Sequence, residues 1–163
     1  MPRQPTEGDR RSHLLPTERL RIVLRGALET AQAQAHPLIN TDDLLIALID
    51  ESDGFATKIF TNLGAGMNVI KAAVESHRLP QETYELTASP HLAPRAQYAM
   101  TLAEEEAQLG GGINVGTEHL LFGLLREKGR AAIALEACDV TLEKAREEHQ
   151  RLMKLYRFGN PRR

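Results

Sequence analysis

Apolar side chains recur along the chain at helical spacing, and glycine, proline or polar clusters separate the periodic stretches. Leu20, Val23, Leu24, Ala27 and Ala31 fall on one face of a helix with a 3.6-residue period. This face predicts a first helix from the N-cap Thr17 to about residue 34. The same pattern predicts seven further helices. The first three lie at about 42–51, between Gly54 and 63, and at about 67–77. The other four lie at about 94–109, from 117 to the break at Gly129, between Gly129 and 138, and from 141 onwards.

The pattern repeats itself after 76 positions. Residues 17–51 and 93–127 align without a gap and share ten identical positions, which indicates an internally duplicated unit. In both copies a threonine, Thr41 or Thr117, precedes a leucine-rich run and is predicted to cap a buried helix. The identical pairs are Arg19/Arg95, Ala27/Ala103, Glu29/Glu105, Ala31/Ala107, Gln32/Gln108, Thr41/Thr117, Leu44/Leu120, Leu45/Leu121, Leu48/Leu124 and Glu51/Glu127.

Each unit therefore predicts four helices, and two units predict an all-α, eight-helix, pseudo-twofold bundle. The predicted organisation is a disordered N-terminal tail at 1–14, repeat 1 at 15–78, a linker at 79–91, repeat 2 at 92–155 and a basic C-terminal tail at 156–163. Pro80 and Pro90 mark the linker.

Composition narrows the functional classes. The net charge of −2 and the pI near 6.3 give no general indication of nucleic-acid binding. A single cysteine, Cys138, excludes an internal disulfide framework and a cysteine-rich zinc site. No apolar run is long enough for a signal peptide core or a membrane span. The expectation is a cytoplasmic protein without cofactors or metal.

The pair Glu118-His119 is the most suggestive candidate for chemistry. Neighbouring side chains on a helix diverge by about 100°, so the two would not act together on one ligand. The sequence carries no HExxH metal motif, no GxSxG nucleophile motif and no phosphate-binding GxxxxGK[ST] loop. The acidic run at 104–106 reads as the solvated face of a helix. We therefore predict no catalytic residues and no enzyme.

Two interpretations of Glu118 remain open at this level. In one, the carboxylate only offsets the positive end of its helix dipole, a contribution of about 0.3–1 kcal/mol, as Asp42 would do in repeat 1. In the other, it is a partly exposed anion that accepts a bidentate hydrogen bond from a guanidinium group.

The duplicated order of these motifs resembles the Clp N-terminal repeat domain of AAA+ unfoldases, most closely the ClpC kind. VGTEHLLFGLLRE is similar to the most specific motif of that repeat, and Pro94-Arg95-Ala96 to the start of its second copy. The resemblance covers about residues 15–155, with INTDDLLIALIDE as a divergent first copy. It implies a non-catalytic module that docks adaptor proteins, substrates or degradation tags for a Clp ATPase.

The resemblance also implies which residues recognise a ligand. In ClpC-type domains a Glu and a helix-start Thr of the repeats bind phosphoarginine, which marks proteins for degradation. Repeat 2 has Glu118 but Ala93 at the Thr position, whereas repeat 1 has Thr17 but Asp42 at the Glu position. The alternatives are a free-standing accessory protein of the Clp assembly and a protein that sequesters small molecules resembling cyclic peptides.

Overall fold

A computed structural model of the chain describes residues 14–80 and 86–159. Within these residues the chain forms eight helices, four in each repeat, so the predicted all-α eight-helix architecture is confirmed. The helices are α1 Glu18–Ala33, α2 Thr41–Asp50, α3 Phe55–Asn62, α4 Met67–His77, α5 Pro94–Leu109, α6 Thr117–Glu127, α7 Arg130–Ala137 and α8 Leu142–Phe158.

The two repeats correspond helix by helix, but the offset between them changes along the chain. The first residues of α1 and α5, and of α2 and α6, lie 76 positions apart. The first residues of α3 and α7, and of α4 and α8, lie 75 positions apart, because α6 is one residue longer than α2 and the connection after it is two residues shorter. Equivalent side chains in the last two helices of each repeat must therefore be compared at this smaller offset.

Two short parallel ladders join the repeats, and the hydrophobic pattern gave no sign of them. Strand β1, Leu15–Pro16, pairs with β4, Asn114–Val115. Strand β2, Leu38–Ile39, pairs with β3, His91–Leu92. Because a shift of 76 residues converts β1 into β3 and β2 into β4, the pseudo-twofold relation exchanges one ladder for the other. The segment before the first helix of one repeat therefore lies beside the segment before the second helix of the other.

The core is formed mainly by the second helix of each repeat, as the leucine-rich runs predicted. The central leucines of α2 and α6 have no exposed surface, and each contributes about 1.5–3 kcal/mol by burial. Gly123 of α6 faces α5, where the two backbones approach closely. The fully buried leucines of these two helices are Leu44, Leu45, Leu48, Leu120, Leu121, Leu124 and Leu125.

One of the predicted helix caps is confirmed and two are wrong. Thr17 is the N-cap of α1, and its hydroxyl oxygen accepts the N–H of Leu20 at 3.2 Å. The N-caps of α2 and α6 are Asn40 and Gly116 rather than the threonines that follow them. In both helices a side chain three residues later, Asp43 or His119, stabilises the cap by accepting its backbone N–H.

Thr117 instead caps a helix of the other repeat. Its hydroxyl oxygen accepts the N–H of Ala56, in the first turn of α3, at 3.2 Å in a buried position. The hydroxyl therefore satisfies one of the free N–H groups at the start of a helix that is distant in sequence.

The predicted boundaries lie partly outside the described residues. Residues 1–13 of the predicted tail, 81–85 of the predicted linker and 160–163 of the basic tail are not described. Helix α8 continues to Phe158, so three residues assigned to the basic tail are helical. Across 14–80 and 86–159, no helix has both the length and the apolar character needed to cross a membrane.

Candidate functional site

The arginine and glutamate that recur in both repeats form the same ion pair twice. Arg19 lies 3.2 Å from Glu51, and Arg95 lies 2.5 Å from Glu127. Each carboxylate is almost fully buried and also accepts a backbone N–H two residues further on, at 3.3 and 2.9 Å respectively. These pairs join the first helix of each repeat to the end of its second helix, so their repetition has a structural cause.

Glu118 lies in the first turn of α6 and is more enclosed than the sequence predicted. Only 12% of its side chain is exposed, and its Oε1 lies 3.6 Å from His119 Nδ1 and 3.9 Å from His149 Nε2. Burial raises the pKa of the Glu118 carboxyl above its ordinary value of 4.5. The carboxylate is therefore largely enclosed, because α8 of the same repeat brings His149 close to it.

The two histidines give Glu118 no positive charge at neutral pH. Burial, helped by the proximity of His149, lowers the pKa of His119 from 6.5 to about 4. His119 Nδ1 accepts the N–H of Gly116 at 2.9 Å, which requires this nitrogen to be unprotonated. Burial also lowers the pKa of His149. Both rings pack edge to face with Phe122, and His149 packs against Phe55 as well.

Asp42, the counterpart of Glu118 in repeat 1, has a different environment. Its side chain is 1% exposed and lies between two arginines of the chain, with Arg130 at 3.6 Å and Arg78 at 3.9 Å. Arg78 also donates to the neighbouring Asp43 at 3.3 Å. The two guanidinium groups thus close off the Asp42 carboxylate from solvent.

The positions equivalent to these arginines are uncharged around Glu118. At the offset of 75 residues, Met153 corresponds to Arg78 and Phe55 corresponds to Arg130. The two repeats thus place a carboxylate at the same helix start, but among residues 14–80 and 86–159 only Asp42 has arginine side chains beside it. Glu118 is a largely buried carboxylate whose charged form has no Arg or Lys counter-ion within the described part of the chain.

Thr17 lies beside the start of α6 rather than beside Asp42. Its backbone N–H donates to Val115 at 2.8 Å, in continuation of the β1–β4 ladder. Ala93 makes the equivalent bond to Ile39, at 2.9 Å, next to the start of α2. Each candidate site is therefore built from both repeats, with Thr17 near Glu118 and Ala93 near Asp42. The sequence comparison had paired these positions within one repeat, since nothing in it indicated the two ladders.

Two cavities lie at equivalent places in the repeats. The cavity of repeat 1, about 150 Å³, lies between α1 and α2 and is lined by Thr30, Asp43, Ile46 and Arg78 among others. The groove of repeat 2, about 680 Å³, lies between α5, α6 and α8 and is lined by the equivalent Glu106, His119, Phe122 and Met153. We call this larger cavity the α8 groove.

Several residues of these sites were missed by the sequence analysis. Glu106, expected on a solvated face, is buried and paired with Arg126 at 3.1 Å and with Arg146. His149 and Arg130 reach the helix starts from α8 and α7, where the repeats share little sequence and the offset changes. In residues 14–80 and 86–159, no group of three or more His, Cys, Asp or Glu side chains could hold a metal ion.

Comparison with known proteins supports a common origin for this arrangement. The sequence profile of the Clp repeat (R) N-terminal domain matches residues 15–128 and again 91–157. A relative from Bacillus subtilis, the negative regulator of genetic competence ClpC/MecB, is 39% identical over 138 residues. That alignment covers 84% of this chain and 17% of the relative, so the chain spans about a sixth of the length of that protein.

Solved structures with low sequence identity share the fold. The Hsp104 N-terminal domain from Candida albicans superimposes with a TM-score of 0.68 at 16% identity, covering 80% of this chain and 86% of that domain. A ClpV N-domain in complex with a VipB peptide gives a TM-score of 0.63 at 15% identity, covering 74% and 76% respectively.

Proposed function

The chain belongs to the Clp repeat N-terminal domain family, and from this membership we propose that it is a non-catalytic protein-interaction module of the Clp protease and unfoldase system. It would dock adaptor proteins, substrates or degradation tags for a Clp ATPase, in the cytoplasm. The peptide complex of a ClpV N-domain supports binding as the task of this fold.

Glu118 is the residue that we propose for ligand recognition. The observation that carries this proposal is the difference between the two helix starts. Asp42 lies beside two arginines, whereas the basic groups found near the Glu118 carboxylate in residues 14–80 and 86–159 are two neutral imidazoles. A guanidinium group from a ligand would supply the missing positive charge and could donate two parallel hydrogen bonds. Because water is largely excluded there, such a pair would be stronger than one on an open surface.

Phosphoarginine fits this proposal better than arginine alone. Thr17 is the N-cap of α1 and lies beside the start of α6, so two helix N-termini lie close together near Glu118. Helix N-termini attract phosphate oxygens through free N–H groups and the helix dipole. The Thr17 hydroxyl oxygen accepts the Leu20 N–H, but its own proton remains available for donation to a phosphoryl oxygen. The cross-repeat arrangement thus supplies one site with both features.

Isothermal titration calorimetry with phosphoarginine tests this assignment. We expect one equivalent to bind the full chain, and Glu118→Gln to weaken binding at least about tenfold, because the neutral amide removes the charge on which the pair depends. The matched control is Asp42→Asn, which makes the same chemical change at the equivalent helix start and should leave binding within about twofold. Far-UV circular dichroism of the three proteins verifies that each is folded.

The possible outcomes distinguish an error in the assigned residue from an error in the proposed function. If Glu118→Gln binds phosphoarginine as tightly as the parent, the assignment of Glu118 is wrong. If no protein binds phosphoarginine, the degradation-tag part of the proposal is wrong. Pull-down with Clp ATPase, adaptor and protease subunits then tests docking directly, and recovery of none of them would refute the interaction module.

A further inference from the structure

The α8 groove contains two of the three most exposed large apolar side chains among the described residues. Phe158 is 85% exposed and Leu109 is 78% exposed, and both line this groove. Phe122 is 3% exposed and forms part of its floor, together with Met153. Adjacent exposed apolar side chains around a concave surface are typical of a protein-binding site.

Two of the three cations that line the groove have no ion-pair partner among residues 14–80 and 86–159. The single carboxylate that lines it, Glu106, already faces Arg126 and Arg146. Lys154 and Arg157 also line the groove, and neither forms an ion pair within the part of the chain that is described. The groove therefore combines an apolar floor with an excess of positive charge, which complements an acidic ligand.

The cavity of repeat 1 is smaller than the equivalent groove of repeat 2. In repeat 1, Arg78 donates to Asp43 across the cavity, and the space that remains is about 150 Å³. The equivalent residues in repeat 2 are Met153 and His119, which cannot form an ion pair, and the space is about 680 Å³. The wider groove of repeat 2 thus coincides with the absence of this ion pair and with the greater length of α8, which has 17 residues where α4 has 11.

From these observations we propose that the α8 groove binds an acidic, apolar segment of a partner protein. A bulky apolar side chain of that segment packs on Phe122 and Met153, while its carboxylates pair with Lys154 and Arg157. Glu118 does not line this groove, but its carboxylate lies beside His119 and His149, which do, so the peptide site adjoins the proposed phosphoarginine site and uses other contact residues.

Fluorescence anisotropy with labelled peptides tests the site in the full chain. The probe is a short peptide of leucine, phenylalanine and glutamate, and its counterpart carries lysine in place of glutamate. We expect saturable binding of the acidic peptide only. The double variant Lys154→Glu, Arg157→Glu should weaken binding at least about tenfold. Arg25→Glu, an exposed residue of α1 outside the groove, is the matched control and should leave binding unchanged.

A second variant introduces the ion pair of repeat 1 into the groove. In the double variant His119→Asp, Met153→Arg, the new aspartate can still accept the Gly116 N–H, as Asp43 accepts the Asn40 N–H at 2.8 Å. The helix start is therefore retained, and we expect loss of peptide binding in a folded protein.

Three results would overturn the proposal. The first is no saturable binding of the acidic peptide. The second is equal affinity for the acidic and basic peptides, or equal weakening by the control. The third is a concentration-dependent dimer in analytical ultracentrifugation that the groove variants abolish, which would identify a second copy of the chain as the occupant.

Discussion

Gly123 allows α5 and α6 to approach each other, and its replacement by alanine is the sharpest test of the packing. A Cβ atom at this position would lie 3.0 Å from Ala103 N and 3.2 Å from Ala103 Cβ, and would overlap the carbonyl oxygen of Ala99. Two of these three contacts are backbone atoms of α5, which cannot move away as a side chain can. The added methyl group must therefore push two central helices apart.

The magnitude follows from two opposing terms. Overpacking of a filled core costs about 1–3 kcal/mol, and a backbone collision lies at the upper end of that range. Alanine gains about 1 kcal/mol over glycine in a helix interior. We expect Gly123→Ala to lower the free energy of unfolding by about 2 kcal/mol, as measured by urea denaturation followed by far-UV circular dichroism.

Repeat 1 offers a matched control, because its close contact is built in the opposite way. There Gly26 lies on α1 and Ala47 on α2, whereas the equivalent residues of repeat 2 are Leu102 and Gly123. A Cβ atom on Gly26 would meet only Ala47 Cβ, at 4.0 Å. Gly26→Ala should therefore stabilise the protein by about 0.5–1 kcal/mol. If Gly123→Ala were as stable as Gly26→Ala, the close approach of α5 and α6 would be refuted.

Three further predictions concern the polar interactions of the fold. Arg95→Met should lower the free energy of unfolding by about 1–2 kcal/mol, because it leaves the buried Glu127 carboxylate without its cation; an unchanged urea midpoint would contradict this. Thr117→Val should cost about 1–2 kcal/mol, because the buried N–H of Ala56 loses its acceptor; hydrogen exchange of that amide should accelerate if the reasoning is right. The free energy of unfolding should also fall as the pH is lowered from about 6.5 towards 4. His119 has a pKa of about 4 in the folded state and about 6.5 in the unfolded chain, so the unfolded chain takes up the proton first. The loss from this group is at most about 3 kcal/mol, and the fall should be smaller in His119→Gln.

The sequence by itself determined the helices and their repetition. The spacing of apolar residues located the helices, since a buried stripe must recur every 3.6 residues whatever lies opposite it. The prediction of α5 at 94–109 agrees with the observed Pro94–Leu109, and that of α4 at 67–77 with Met67–His77. The ten identical positions revealed the duplication, and the leucine-rich runs identified α2 and α6 as the centre of the core.

The sequence also identified Glu118, Asp42 and Thr17 as candidates, but it could not supply their surroundings. Asp42 and Glu118 occupy equivalent helix starts, and a comparison of these two positions alone predicts two carboxylates in similar surroundings. Their difference comes from Arg78, Arg130, Met153 and Phe55, which are distant in sequence and lie where the repeat offset has changed.

Only the tertiary structure decided which parts of the two repeats meet. The β1–β4 ladder carries Thr17 to the start of α6, and Thr117 caps α3 of the opposite repeat. Two-residue ladders and single buried hydrogen bonds leave no periodic signal, because they depend on contacts between segments far apart in the chain. For the same reason the enclosure of Glu118 by α8 was invisible in NVGTEHLLFGLL. The sequence fixes where each helix buries its apolar face, whereas the packing of helices fixes which charges are left without a partner.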